Sequence, residues 1–152
     1  MYFYELIKKL SENKKTKIYV DMDGVIASYD FGKPLDFANK RPLITNIKTL
    51  NELCKLQNVE LFILSVCRFN NQINEKNNGL DKYAPFFDKN KRIIISKESN
   101  LHLSSKELKL NYLKTLKTEE QIIFIDDDNE VLKTIHNNIK NIILYQDSEL
   151  ID

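Results

Sequence analysis

Two carboxylates one residue apart, Asp21 and Asp23, close an apolar run, Lys17-Ile18-Tyr19-Val20, and are followed by Gly24. In an extended chain residues i and i+2 project to the same side, so Asp21 and Asp23 converge while Met22 faces away. Gly24 lets the backbone turn sharply where a side chain would obstruct it. Two acids at the carboxyl end of a buried strand carry a desolvation cost and repel each other. A bound cation, or a reaction that uses both groups, relieves that conflict. An acidic loop after a strand has the same residues, so this stretch alone leaves both readings open.

Two further polar strand ends bear on the choice. The run Val59-Glu60-Leu61-Phe62-Ile63-Leu64 ends in Ser65, with Val66-Cys67-Arg68 following as a loop. The run Gln121-Ile122-Ile123-Phe124-Ile125 ends in Asp126-Asp127-Asp128. Strands are also expected over residues 92–96 and 141–145. Near-continuous apolar strands fit a sheet covered on both faces.

The connecting segments supply the helices. Phe3, Leu6, Ile7 and Leu10 have helical spacing and predict a short amphipathic helix over residues 2–11, with a polar linker after it. Residues 27–41, with Gly32 and Pro34, have no clear period and read as a loop or flap. Pro42 suits the first turn of a helix with Leu43, Ile47, Leu50, Leu53 and Leu56 on one face. Residues 70–88 read as helical in parts, broken at Asn78-Gly79. Ser104 or Ser105 caps a helix bearing Leu108, Tyr112, Leu113 and Leu116. A last helix follows Asp128, with Val131, Leu132 and Ile135 inward; Asp128 and Glu130 answer its N-terminal dipole. Alternating strands and helices predict an α/β fold, a parallel five-stranded sheet with right-handed crossovers. The 152 residues fit one domain: an N-terminal helix and linker over 1–16 and a core over 17–146.

Bulk composition excludes little beyond extremes. The net charge of +1 argues for neither nucleic acid nor membrane as a partner. No apolar run is long enough to span a bilayer, and the N-terminus lacks the pattern of a signal peptide. Two cysteines, Cys54 and Cys67, make neither a disulfide framework nor a zinc pattern, so a reducing, cytoplasmic setting is expected. Cys67 and Arg68 are adjacent, too close for the phosphate-wrapping loop of a cysteine phosphatase. His102 and His136 lie outside every motif.

Parallel strands present their carboxyl ends along one sheet edge, where open α/β sheets bind ligands. Asp21, Asp23, Ser65, Asp126 and Asp127 are therefore expected in one crevice. Oxygen ligands without His or Cys point to a hard cation such as Mg²⁺. Mg²⁺ with a free carboxylate, a hydroxyl and a lysine makes a site for phosphoryl transfer.

These residues resemble the motifs of the haloacid dehalogenase-like phosphohydrolases. The first motif, D-x-D-G-[TV] after an apolar strand, is matched by Val20-Asp21-Met22-Asp23-Gly24-Val25. The second is matched by Leu61-Phe62-Ile63-Leu64-Ser65, and the fourth by Ile123-Phe124-Ile125-Asp126-Asp127. The likeness runs from about Lys17 to Tyr145 and implies a Rossmannoid three-layer sandwich. It implies Asp21 as nucleophile, Asp23 as general acid and base, and Ser65 as a phosphate ligand. It implies Mg²⁺ held by Asp21, the backbone of Asp23, Asp126 and Asp127. The third motif is only a lysine, taken as Lys109, with Lys106 and Lys97 as rivals. Arg68 is a candidate substrate contact. No segment has room for a separate cap domain, so little or no cap is expected.

Leu80-Asp81-Lys82-Tyr83-Ala84-Pro85-Phe86-Phe87 resembles the compact 5′-deoxyribonucleotidase-like branch and leans toward nucleotides. The expected activity is a Mg²⁺-dependent phosphatase acting on a small phosphomonoester through an aspartyl-phosphate. Two alternatives stand beside it: a polynucleotide-end or protein phosphatase, helped by a basic patch at Lys89, Lys91 and Arg92, and a non-catalytic module that binds Mg²⁺ and phosphate.

Overall fold

The computed structural model describes residues 2–28, 40–117 and 119–152. Its centre is β1 (Thr16–Val20), whose Ile18 and Val20 are fully enclosed. Burying each such side chain favours folding by about 1.5–3 kcal/mol. Beside it run β2 (Val59–Cys67) and β4 (Gln121–Asp126), flanked in turn by β3 (Arg92–Ser96) and β5 (Ile142–Gln146). The order is β3-β2-β1-β4-β5 and every pairing is parallel.

Alternating strand side chains build two separate cores. Ile18, Val20, Leu61, Ile63, Ile123 and Ile125 face one side. There they meet α1 (Tyr2–Ser11), α2 (Ile44–Leu53) and α3 (Asn71–Tyr83) through Phe3, Ile7, Leu50, Leu53 and Leu80. Tyr19, Leu64, Ile122 and Phe124 face the other side, covered by α4 (Ser105–Lys114) and α5 (Asn129–Asn138) through Leu110, Leu113, Val131 and Ile135. The helices after β1 and β2 thus lie on one face, and those after β3 and β4 on the other. The chain changes face where it crosses back to place β4 against β1, which makes the β1–β4 junction the switch point of the sheet.

Local signals set several boundaries. Ser104 caps α4 with a reciprocal pair: its hydroxyl accepts from the Glu107 N–H, and its own N–H donates to the Glu107 carboxylate at 2.9 Å. Asp128 caps α5 by accepting from the Glu130 N–H at 2.9 Å.

Four expectations change. The second strand does not stop at Ser65 but continues to Cys67, because β1 pairs with its first half (Val20 opposite Ile63) while β3 pairs with its second (Cys67 opposite Ser96). Pro42 does not open α2; it bridges Ala27, and Ser28 N–H donates to the Arg41 carbonyl at 2.8 Å, so the two stems of this segment are tied together. The flap expected over residues 27–41 otherwise falls largely on residues 29–39, outside the described residues. Helix α3 runs unbroken through Asn78-Gly79, since a continuous buried face (Gln72, Lys76, Gly79, Leu80) outweighs the ~1 kcal/mol helix penalty of glycine. The basic patch at Lys89, Lys91 and Arg92 lies at the amino end of β3, away from the carboxyl ends of the strands. Within it Lys91 pairs with Glu60 and Asp88, and Arg92 with Asp81.

Candidate active site

The two-residue alternation of the strands carries beyond their last apolar residues. Asp126 continues the Ile122–Phe124 face, toward α4 and α5. Asp21 continues the Tyr19 face on the adjacent strand, its N–H still donating to the Ile125 carbonyl at 3.0 Å. From α4, Lys109 reaches both: its Nζ lies 2.7 Å from Asp126 Oδ2 and 3.1 Å from Asp21 Oδ1. Asp126 Oδ1 also accepts the Asp128 N–H at 2.9 Å, which fixes the carboxylate between a lysine and the start of α5. Of the three candidate lysines, Lys109 sits on the acids. Lys106 is exposed, and Lys97 lies further along the same cleft.

A tight turn follows Asp21. The Val25, Ile26 and Ala27 N–H groups all donate to the Met22 carbonyl, at 3.2, 2.8 and 3.1 Å. Met22 itself is enclosed in the core on the α1–α3 side, as the alternation requires. Gly24 has φ +81°, a conformation side chains disfavour, and a Cβ there would fall 1.9 Å from Asp127 Oδ2. The glycine thus lets Asp127 close in beside the turn. Oxygens of Asp21, Asp126 and Asp127 all lie within 4.8 Å of one another. This all-oxygen, three-carboxylate set suits a hard divalent cation, and the space left by the missing Cβ at Gly24 is what admits its third member.

Asp23 is held differently. Lys76 Nζ donates to Asp23 Oδ2 at 2.8 Å, and Lys40 Nζ to Asp23 Oδ1 at 3.1 Å. Lys76 is wholly enclosed and also donates to the Ser65 hydroxyl at 2.7 Å. Ser65 shares the face of Leu61 and Ile63, the side on which α3 packs, so its hydroxyl meets Lys76 there. Ser65 was expected as a phosphate ligand; in this structure it has no exposed surface and does not line the cleft. Neither Lys76 nor Lys40 was singled out from the sequence. Lys76 lies in a run of Asn, Glu and Lys that reads as a solvated helix, and the one available signal is its i, i+4 spacing with the buried Gln72 and Leu80.

Charge separates the two acids of the first motif. Burial pushes the Asp21 carboxyl up to about 7; Lys109 offsets part of that rise, and the neighbouring Asp126 and Asp23 charges add to it. Asp126 and Asp127 are likewise raised, mainly by burial. Burial also acts to raise Asp23, but the Lys76 and Lys40 ammonium groups outweigh it and hold the carboxyl below its usual range. Burial would lower Lys109, yet Asp21 and Asp126 outweigh it and hold the ammonium above its ordinary value.

These groups open onto a cleft of about 590 Å³ at the carboxyl ends of the strands. Arg68 lines it, as do Lys97 and Ser105. Such an arrangement offers closely set carboxylates, a seat for a cation and a lysine that tempers their repulsion.

No family model matches the sequence, and no curated protein sequence matches it. Among solved structures, a chain of the Pnkp1/Rnl/Hen1 RNA repair complex superposes with TM-score 0.68 at 16% identity over 89% of this chain and 43% of that one. A second structure of the Pnkp1/Rnl/Hen1 complex gives 0.69 at 16% identity, over 89% and 46%. The chain thus spans less than half the length of these two relatives. The class C acid phosphatase of Bacillus anthracis, solved with tungstate bound, gives 0.53 at 14% identity over 97% of this chain and 78% of that one. No helix among the described residues is long and apolar enough to cross a membrane. At these identities the likeness speaks for architecture alone, and the architecture is a three-layer α/β fold with a parallel five-stranded sheet.

Proposed function

We propose that this protein is a phosphatase that hydrolyses a phosphomonoester through an aspartyl-phosphate on Asp21. The observation that carries the reading is the meeting of Asp21, Asp126, Asp127 and Lys109 at the switch point, with Asp23 beside them on its own pair of lysines. That two of the similar folds are described as an RNA repair complex and an acid phosphatase supports the same reading.

In the first half-reaction an Asp21 oxygen attacks phosphorus in line, the bond to the leaving oxygen breaks, and Asp23 supplies the proton that oxygen needs. The Lys76 and Lys40 ammonium groups favour the ionised form of Asp23. An arriving phosphate dianion competes for Lys40 and, as a like charge, favours the protonated form of Asp23. In the second half-reaction Asp23 takes a proton from water as that water attacks phosphorus and the Asp21–phosphorus bond breaks. Ser65 acts through Lys76, which it helps to hold against Asp23. Mg²⁺, held by Asp21, Asp126, Asp127 and the backbone of Asp23, would neutralise charge on the transferring group.

Phosphate release from a panel of nucleotides and other monoesters with Mg²⁺, beside the Asp21→Asn variant, tests this. Release by the parent protein and none by the variant is expected. No release from any monoester, with Mg²⁺ still stabilising the fold, would favour a non-catalytic binding module instead.

A further inference from the structure

The cleft is wider than the chemistry just described requires. Its volume of about 590 Å³ compares with about 30 Å³ for one water molecule, and one phosphoryl group has only a handful of heavy atoms. The carboxylates and Lys109 occupy the end of the cleft over β1 and β4. The other end lies over β2 and β3, and its chemistry is different.

There the first residues past two neighbouring strands are Arg68 and Lys97. Cys67 and Ser96 are directly opposite in the sheet, Lys97 N–H donates to the Cys67 carbonyl at 2.9 Å, and Glu98 N–H to the Arg68 carbonyl at 3.1 Å. Parallel strands lie about 4.8 Å apart, so the two backbones enter the cleft side by side. Both side chains line it. The Lys109 ammonium at the other end is met by Asp21 and Asp126, and that of Lys40 by Asp23. Arg68 and Lys97 make no ion pair among the described residues; the Arg68 guanidinium rests 5.8 Å from the Phe69 ring, an uncharged neighbour. Ser105, in the first turn of the ten-residue α4, lines the same wall and brings the positive end of that helix. A cleft with acids at one end and two uncompensated cations plus a helix N-terminus at the other is polarised along its length.

We infer that Arg68 and Lys97 form a second anion subsite, and that the substrate carries a second phosphate beside the one removed at Asp21. A guanidinium and an ammonium together suit phosphate oxygens, the first by paired N–H donors and the second as a point charge. The inference rests on the phosphatase reading for the identity of the first site. The second phosphate comes either from a small bisphosphate or from the next phosphodiester of a strand end, and the recognising chemistry is the same.

Binding to the Asp21→Asn protein with Mg²⁺, by calorimetry, tests the subsite apart from turnover. The probes are adenosine 5′-monophosphate, adenosine 3′,5′-bisphosphate and a 5′-phosphorylated dinucleotide. The expected result is bisphosphate affinity about tenfold or more above that of the monophosphate, a ratio that collapses toward one when Arg68→Gln and Lys97→Gln are combined and survives in Arg68→Lys with Lys97→Arg. A dinucleotide sharing the gain identifies a strand end as the source; a gain confined to the bisphosphate identifies a small molecule. Equal affinities, a ratio unmoved by the double glutamine variant, or no binding of any probe would overturn the subsite. Failure of the parent protein to release phosphate from any monoester would sink the phosphatase reading, whatever the binding ratio.

Discussion

Lys76 and Asp23 form an ion pair at 2.8 Å in which the lysine has no solvent exposure, and the same ammonium donates to Ser65 at 2.7 Å. A buried lysine is costly unless its donors are met, so helix α3, strand β2 and the turn after β1 are coupled through one nitrogen.

Replacing Lys76 with Met removes the group that does most to hold Asp23 below the usual carboxylate range. The alkaline limb of the pH dependence of kcat/KM should move to higher pH, because Asp23, which gives up its proton in the first half-reaction, then keeps it longer. kcat/KM should fall by about 10²-fold, the lower end of what a positioned acid–base group contributes. A merely structural lysine would lower activity without moving the limb. Steady-state kinetics across pH separates the two.

Gly24→Ala places a methyl 1.9 Å from Asp127 Oδ2 at φ +81°. The backbone conformation alone costs about 1–2 kcal/mol, and the displaced carboxylate weakens the cation seat. Lower denaturant midpoints and a smaller Mg²⁺-induced rise in Tm are expected. Equal Mg²⁺ effects on parent and variant would remove Asp127 from that seat.

The apo protein should lose stability as pH rises through about 7. Asp21 titrates near that value in the folded state, against about 3.9 for an unperturbed aspartate. A carboxyl raised by folding favours the native state while protonated; that contribution is complete below about pH 4 and is lost as pH passes the folded value. Asp126 and Asp127 shift in the same direction. Asp23, lowered, has the opposite sign, and its contribution is lost only as pH falls below about 4. Asp21→Asn should therefore flatten the decline between about pH 4 and about pH 7, and Mg²⁺ should raise Tm more at about pH 8 than at about pH 5.5. Thermal melts at the two pH values, with and without Mg²⁺, check both.

Ser104→Ala removes the hydroxyl half of the α4 capping pair, the acceptor of the Glu107 N–H, and leaves the backbone N–H that donates to the Glu107 carboxylate. A cap of this kind contributes about 1 kcal/mol, and Tm should drop by about 2–4 °C. Because Lys109 sits a turn further into α4 and is held by two acids, phosphate release at a temperature well below the melt should change less than twofold. Calorimetry with a rate measurement covers both.

Several elements were legible because their signals are local. An apolar run followed at once by acids announces a strand end at Asp21 and at Asp126. Alternation alone would keep Asp23 with Asp21, but the turn after Asp21 gives Asp23 to Lys76 of α3 while Asp21 meets Lys109 of α4. Ser104 with Glu107 marks the start of α4, again by a local signal. The choice between Lys106 and Lys109 was not available this way, since residues three apart lie on nearly the same helix face. Lys109 is at the acids because α4 docks with Leu108, Leu110 and Leu113 inward.

The sequence by itself determined that Asp21 and Asp126 close their strands and what chemistry an oxygen-rich cluster there would suit, because periodicity and composition act over a few neighbours. The tertiary structure alone decided who meets whom. The length of β2 depends on the register of β3, fixed by pairing across the sheet. That register carries β2 past Ser65, and with α3 packed on the same face Ser65 is turned to Lys76. Lys76 became a partner of Asp23 only when α3 packed on that face, and Arg68 became a neighbour of Lys97 only through strand order. Such contacts join residues tens of positions apart, and no local pattern encodes them.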